Sequence, residues 1–113
     1  MGWTKWRKIA DSKYFYDEEF DYDGATCYEI AIAGSRGGNV RIVYVGETGN
    51  EKRRLKEYAK HGSHLSKKIN QAVRKGWCIF YRAQAKNSKK EAITMQNNLL
   101  DNFEYEWNKQ RNT

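Results

Sequence analysis

The chain has 113 residues, enough for one domain with a single modest core. Its 21 Lys and Arg residues outnumber its 14 Asp and Glu residues, for a formal net charge of +7, and no apolar run approaches the roughly 20 residues that span a bilayer. Two cysteines, Cys27 and Cys78, are too few and too far apart for a disulfide framework or a zinc site, so we expect an intracellular protein, cytoplasmic or nucleoid-associated.

Residues 1–24 combine aromatic and acidic side chains and follow neither a helical nor a strand period. So many aromatic rings are unusual for a disordered segment. We therefore interpret residues 1–24 as an N-terminal extension that packs on the domain, and residues 25–113 as the domain itself.

The first predicted elements are two strands of a hairpin. Residues 26–33 alternate large and small or polar side chains with a period of two, which is typical of a strand. The turn signal at residues 35–39 is followed by an apolar run at residues 40–45, which predicts the returning strand.

The second half of the chain predicts helices around a third strand. Residues 48–51 have the form of a capping box and predict a helix to about residue 60. A second helix follows residues 61–63, because apolar side chains recur there every four residues, and Gly76 ends it.

Residues 77–83 are apolar and aromatic, which predicts a third strand. Another capping box at residues 88–91 predicts a long helix to about residue 105. The resulting fold class is α/β, with a three-stranded, mostly antiparallel sheet flanked by about three helices in the order β-β-α-α-β-α.

The positive charge is concentrated in residues 52–90, which hold thirteen basic residues and one acidic residue, Glu57. Such a block is typical of proteins that bind a polyanion, because Lys and Arg contacts to phosphates give affinity without reading a sequence. A solvated basic surface with no partner has the same charge pattern.

Two tyrosines, a glycine and an arginine recur at a spacing that suggests chemistry. Tyr28 stands sixteen residues before Tyr44, Gly46 follows two residues later, and Arg54 follows Tyr44 by ten residues. A phenol can relay a proton, and a guanidinium can hold a phosphate through two hydrogen bonds. A divalent metal held by a carboxylate would complete a set of groups for phosphodiester hydrolysis.

This combination resembles the signature of the GIY-YIG nuclease family, which hydrolyses phosphodiester bonds in DNA. The resemblance covers roughly residues 25–108. It implies a small GIY-YIG-like domain, a metal-dependent DNA endonuclease with one Mg²⁺ or Mn²⁺ ion, double-stranded DNA as partner, and a possible homodimer. Residues 26–27 depart from the Gly-Ile that precedes the first tyrosine in the family.

The resemblance also implies roles for individual residues. Tyr28 is similar to the tyrosine of the first half-motif and would act as general base or its relay, while Tyr44, in the second half-motif, would orient phosphate and water. Arg54 would stabilise charge on the phosphate, and Tyr58 stands where the family has Tyr or His. Asn108 is similar to the asparagine that closes the family's last helix and would support the site by hydrogen bonding.

Further residues are expected to contact DNA. Gly46 is expected to let the chain turn out of its strand and to leave room for a phosphate. His64 could contact the scissile phosphate or shuttle a proton, and an exposed imidazole in a turn is the alternative. The implied phosphate-binding and DNA-binding residues are Gly46, Lys52, Arg53, Lys56, Lys67 and Lys68.

The metal ligand departs from the family pattern. The resemblance places a glutamate twelve residues before Asn108, and this chain has Gln96 there. A neutral amide is a much poorer ligand than a carboxylate for a hard cation. Three interpretations are open: the chain is an inactivated form of an active nuclease, Gln96 is natural, or Glu47 holds the metal instead. Glu91 is a less suitable ligand because of its position in the capping box.

Two other functions remain open. If Gln96 is natural, the chain could be a non-catalytic nucleic-acid-binding module. The acidic and aromatic residues 1–24 suggest instead a protein-interaction domain. Such a domain would show no salt-dependent affinity for DNA, and neutralising Arg54 would change its binding to any partner little.

Overall fold

The computed structural model describes residues 2–11, 24–34, 40–49 and 64–108. The elements, in chain order, are strands β1 (Arg7–Ala10), β2 (Thr26–Gly34) and β3 (Arg41–Thr48), helix α1 (His64–Arg74), strand β4 (Trp77–Ala85) and helix α2 (Lys89–Asn102). The predicted α/β class and antiparallel sheet are confirmed. Of the segment predicted to form a capped helix to residue 60, Thr48 is the last residue of β3, and residues 50–60 lie outside the described residues.

The sheet has four strands in the order β1-β4-β2-β3, and each neighbouring pair is antiparallel. The predicted three strands are therefore one too few. The additional strand, β1, comes from the segment in which no strand was predicted, and it pairs with the edge of β4.

Strand β1 was not predicted because its exposed and buried side chains do not alternate. Its pairing with β4 shifts register between Lys8 and Ala10, as in a β-bulge. A bulge inserts an extra residue and locally breaks the alternation of faces. Ile9, at this irregularity, is fully buried in the core, next to exposed Lys8 and buried Ala10.

The two described helices pack on opposite faces of the sheet. Helix α1 packs on the face that carries Tyr28 and Tyr44, mainly against β4, and contributes Leu65, Ile69 and Ala72 to the core. The face formed by Cys27 and Val45 is covered by α2, whose contributing residues are Met95, Leu99 and Leu100. Strand β2 lies between the helices, and eight of its nine residues are buried.

Helix α2 begins as the capping box predicts, since the Ser88 side chain accepts a hydrogen bond from the Glu91 N–H at 3.2 Å. It ends at Asn102, three residues earlier than predicted, because Phe103 adopts extended backbone angles. This exit turns residues 105–108 towards β3, where the Trp107 N–H donates to the Val43 carbonyl at 2.8 Å. None of the described helices is long and apolar enough to cross a membrane.

Candidate functional site

The two motif tyrosines lie on the same face of the sheet. Tyr28 is paired with Gly46 and Ile30 with Tyr44 between β2 and β3, which places the two tyrosines diagonally across adjacent strands. Their ring centroids are 6.1 Å apart at an interplanar angle of 37°. Both rings belong to the same core cluster as the buried residues of α1, and Tyr28 is 2% exposed and Tyr44 9% exposed.

Gly46 lies directly below both tyrosine rings. A Cβ atom on Gly46 would stand 2.6 Å from the Tyr28 hydroxyl oxygen and 2.8 Å from Cε2 of Tyr44. Gly46 is inside β3, so the expectation that it turns the chain out of the strand is wrong. The space left by its missing side chain is filled by the two tyrosines, which locates the Tyr28 hydroxyl over the backbone of β3.

A third tyrosine, Tyr81 on β4, extends this aromatic layer. Its ring is stacked on Tyr28 with centroids 5.6 Å apart and an interplanar angle of 30°, and it is 2% exposed. Such a pair contributes about 0.5–1.5 kcal/mol beyond the area that it buries. The sequence predicts a strand over residues 77–83, which includes Tyr81, but not the contact of Tyr81 with Tyr28, since that contact depends on the pairing of β2 with β4.

Asn108 holds the outer edge of β3 next to Gly46. Its Oδ1 accepts a hydrogen bond from the Val45 N–H, and its Nδ2 donates to the Val45 carbonyl, both at 2.9 Å. The side-chain amide thus takes the place of a neighbouring strand at this one residue. Asn108 is buried, and it fixes the backbone between Tyr44 and Gly46.

Gln96 stands on helix α2, which packs on the other face of the sheet from the tyrosines. It is half-buried and shares a helical face with buried Ala92 and half-buried Leu99, as the sequence spacing predicts. The described residues therefore place the motif tyrosines and the Gln96 helix on opposite sides of β2 and β3.

Glu47 follows Gly46 and lies on the α2 side of the sheet, where it is paired with Cys27. Its Oε2 atom is buried and forms no hydrogen bond with any described residue. Burial, and then the nearby Glu29 carboxylate, raise the pKa of the Cys27 thiol to about 12, with a smaller contribution in the same direction from Glu47. Because this thiol stays protonated at neutral pH, it is not a nucleophile there.

The α2 side also holds a buried ion pair that sequence reasoning missed. Arg82 donates to Oε1 of Glu29 through Nε at 2.8 Å and Nη2 at 2.6 Å. The Tyr105 hydroxyl donates to Oε2 of the same carboxylate at 2.6 Å. Burial and this hydrogen bond raise the pKa of Tyr105. A glutamate in the middle of an otherwise apolar strand was the available signal for such a pair.

Residues before β1 cover this ion pair. The Arg82 guanidinium lies 4.5 Å from the ring centroid of Trp3 and 4.6 Å from that of Trp6, within the range of cation–π attraction. Beside it lies a cavity of about 330 Å³, which Trp3, Glu29 and Tyr105 help to line. The N-terminal segment thus contacts the domain through tryptophan rings as well as through β1.

Other predicted site residues are less closely described. Lys67 is exposed and Lys68 half-buried on α1, and His64 is the first residue of that helix. The remaining predicted residues lie outside the described part of the chain: Lys52, Arg53, Arg54, Lys56 and Tyr58. The structure thus brings together Tyr28, Tyr44, Gly46 and Asn108 from the predicted site.

Comparison with known proteins shows a family and a curated relative to which the chain is similar. The family model described as "GIY-YIG domain-containing protein" matches residues 21–113. Over 71 residues the chain is 35% identical to Protein EFFECTOR OF TRANSCRIPTION 3 of Arabidopsis thaliana, covering 62% of this chain and 26% of that protein. The chain therefore spans about a quarter of the length of this curated relative. No solved structure matches.

Proposed function

We propose, on the premise that this chain belongs to the GIY-YIG domain family, that it binds double-stranded DNA on a nuclease fold and does not cleave it efficiently. The family is typically one of nucleases, and this chain retains both motif tyrosines, the glycine and the closing asparagine. The proposal rests on one observation: Gln96, a neutral amide, stands where the resemblance places the metal-binding glutamate.

The residues present do not fit the divalent metal that the family implies. Mg²⁺ and Mn²⁺ prefer carboxylate oxygens, and the Gln96 amide supplies no charge. Within residues 2–11, 24–34, 40–49 and 64–108, no three or more His, Cys, Asp or Glu side chains are grouped so that they could hold a metal ion. Hydrolysis through a bound metal therefore does not follow from these residues.

The tyrosine layer supports the binding function by shaping β3. Tyr28 and Tyr81 form a rigid, buried pair, and the more exposed Tyr44 stands at the edge of the layer next to Gly46. Asn108 fixes the same stretch of β3 from outside the sheet. We propose that Tyr44, together with Arg54, orients a phosphate of the bound strand, and that Tyr28 acts by holding Gly46 and Tyr44 in place.

A second candidate function comes from the relative. Protein EFFECTOR OF TRANSCRIPTION 3 is named for an effect on transcription, and a domain that binds DNA without cutting it suits such a role. For this chain we propose the binding function alone, since the alignment covers 26% of that protein.

Cleavage of supercoiled plasmid with Mg²⁺ or Mn²⁺ tests the proposal. We expect no cleavage by this chain. Cleavage by the Gln96→Glu variant, which restores the carboxylate at the family position, would show that the amide alone prevents the reaction, and no cleavage by that variant would agree with the placement of residue 96 on the other face of the sheet from the tyrosines. The matched control is Gln84→Glu, which adds the same charge to strand β4 and should not cleave.

The outcomes are distinct. Cleavage by the unmodified chain would overturn the proposal and would make Glu47, whose Oε2 lacks a hydrogen bond to the described residues, the next residue to change. Cleavage by Gln96→Glu that is lost in Gln96→Glu/Arg54→Ala would support the role of Arg54. An unmodified chain that neither cleaves nor binds DNA would favour a protein-interaction domain.

A further inference from the structure

We propose that the outward face of helix α1 is a surface that binds the phosphate backbone of double-stranded nucleic acid through Lys67, Lys68, Arg74 and Lys75. This inference rests on the DNA-binding part of the proposed function. It adds the particular surface that makes the contact, and two basic residues, Arg74 and Lys75, that the motif does not include.

The basic side chains share one side of the helix. Lys67, Gln71 and Arg74 are spaced by four and three residues, so they lie in one row along α1. All three are exposed, as is Lys75 directly after the helix, and Lys68 beside the row is half-buried. The opposite side of α1 packs into the core, so the row faces away from the sheet.

The charge on this face is not neutralised by the described residues. Helix α1 has the sequence HLSKKINQAVR and contains no Asp or Glu. None of the ion pairs among the described residues involves Lys67, Lys68, Arg74 or Lys75. Helix α2 differs, since Glu91 and Asp101 accompany its two lysines. The outward face of α1 therefore carries positive charges and no negative ones.

Helix stability explains only part of this pattern. A cation in the last turn, such as Arg74, is favoured by the partial negative charge at a helix C-terminus. Lys67 is the fourth residue of α1, where the partial positive charge of the N-terminus disfavours a cation by about 0.3–1 kcal/mol. The first turn contains no acidic residue to offset it. The helix dipole therefore does not favour Lys67, and a bound polyanion would offset this unfavourable charge.

The dimensions of the face fit a nucleic-acid backbone. Lys67 and Lys75 are separated by eight helical steps, or about 12 Å at 1.5 Å per residue. Duplex DNA carries one negative charge per about 1.7 Å of its axis, so several phosphates lie within reach of such a row. Contacts of this kind give affinity without sequence preference, and each makes binding weaker as salt is added.

The test compares two double variants that lose equal charge from different helices. Lys67→Gln/Arg74→Gln removes two charges from the proposed surface, and Lys89→Gln/Lys90→Gln removes two exposed lysines from α2. Dissociation constants of the 113-residue chain and both variants for a 20-base-pair duplex are measured from about 50 to 200 mM salt. Urea unfolding of each protein checks that the fold is retained.

We expect the plot of the logarithm of the association constant against the logarithm of salt concentration to be shallower by about 1.8 in the α1 variant, since each phosphate contact contributes about 0.9 to the magnitude of the slope. The α2 variant should keep the slope of the unmodified chain. Equal losses in both variants would overturn the inference while leaving DNA binding intact. No binding by the unmodified chain would overturn the proposed function itself. Binding of anionic phospholipid vesicles in place of the duplex would overturn the choice of nucleic acid as partner.

Discussion

Residue 46 must be glycine because of the side chains packed against it, and not because of its backbone angles. It lies inside an ordinary strand, and the structure records no positive φ angle for it. The constraint comes from Tyr28 and Tyr44, whose atoms occupy the volume that a side chain would need. The motif glycine and the motif tyrosines therefore form one packing unit. This unit explains why the three residue types occur together in the sequence.

Replacing Gly46 with alanine tests this packing unit. The added Cβ would stand 2.6–2.8 Å from Tyr28 and Tyr44, so one or both rings must move. Such overpacking of a core costs about 1–3 kcal/mol of unfolding free energy. We expect that loss for Gly46→Ala, measured as a lower urea midpoint at an unchanged slope.

The matched control is Gly49→Ala, at which the nearest atom to an added Cβ is Lys89 Cδ at 3.7 Å. That distance is an ordinary van der Waals contact, so we expect a change within about 0.5 kcal/mol. Equal effects at Gly46 and Gly49 would show that Tyr28 and Tyr44 do not constrain residue 46.

Among the secondary-structure elements, the sequence predicts those whose side chains repeat at a regular spacing or that begin with capping residues. Strands β2, β3 and β4 and helices α1 and α2 have regular spacing or capping residues, and all five were located. Strand β1 has a bulge that hides its period. The ion pair of Glu29 and Arg82 joins residues 53 positions apart, and no local pattern reveals which strands will be neighbours.

For the candidate site, the sequence likewise predicts what depends on local spacing and not what depends on tertiary packing. Spacing was enough to predict that Tyr28 and Tyr44 could share a face, because alternation within paired strands determines sides. It could not show that α1 packs on the same side of the sheet, because helix packing is decided by tertiary contacts. For the same reason the sequence did not reveal that α2, with Gln96, lies on the other side.

The ion pair of Arg82 and Glu29 links strand β4 to β2, and Arg82 also contacts the N-terminal tryptophans. The Glu29 side chain is 4% exposed, so Arg82→Met would leave a buried carboxylate without its cation. Removing one partner of a buried pair typically costs about 3–5 kcal/mol. We expect a loss in that range for Arg82→Met, measured by urea unfolding at neutral pH.

A second substitution should recover much of that loss. In Arg82→Met/Glu29→Gln the buried charge is gone, and the amide oxygen can still accept the hydrogen bond from the Tyr105 hydroxyl. If the double variant is no more stable than Arg82→Met, the loss comes from contacts of Arg82 with Trp3 and Trp6, and the ion pair contributes little.

At the scale of the whole molecule, the sheet separates two chemical environments. The α1 side combines the tyrosine layer with an outward row of cations on the helix that packs mainly against β4. The α2 side contains buried acidic and thiol groups, namely Glu29, Cys27 and one oxygen of Glu47. Removing exposed cations from the α1 side should therefore weaken nucleic-acid binding, while changes to the buried ionisable groups of the α2 side should lower folding stability.

The buried thiol makes the stability of the whole fold sensitive to alkaline pH. Burial raises the pKa of Cys27 from 9.0 to about 12, so above pH 9 the unfolded chain loses this proton while the folded chain keeps it. The stabilisation is complete below pH 9 and is lost at about 1.4 kcal/mol per pH unit as the pH rises towards 12. Between pH 8 and pH 10.5, under reducing conditions, we expect the unmodified chain to lose about 2 kcal/mol more than Cys27→Ala in urea unfolding. Cys78→Ala, which retains Cys27, should behave as the unmodified chain does, and an identical alkaline loss in Cys27→Ala would show that this thiol does not control it.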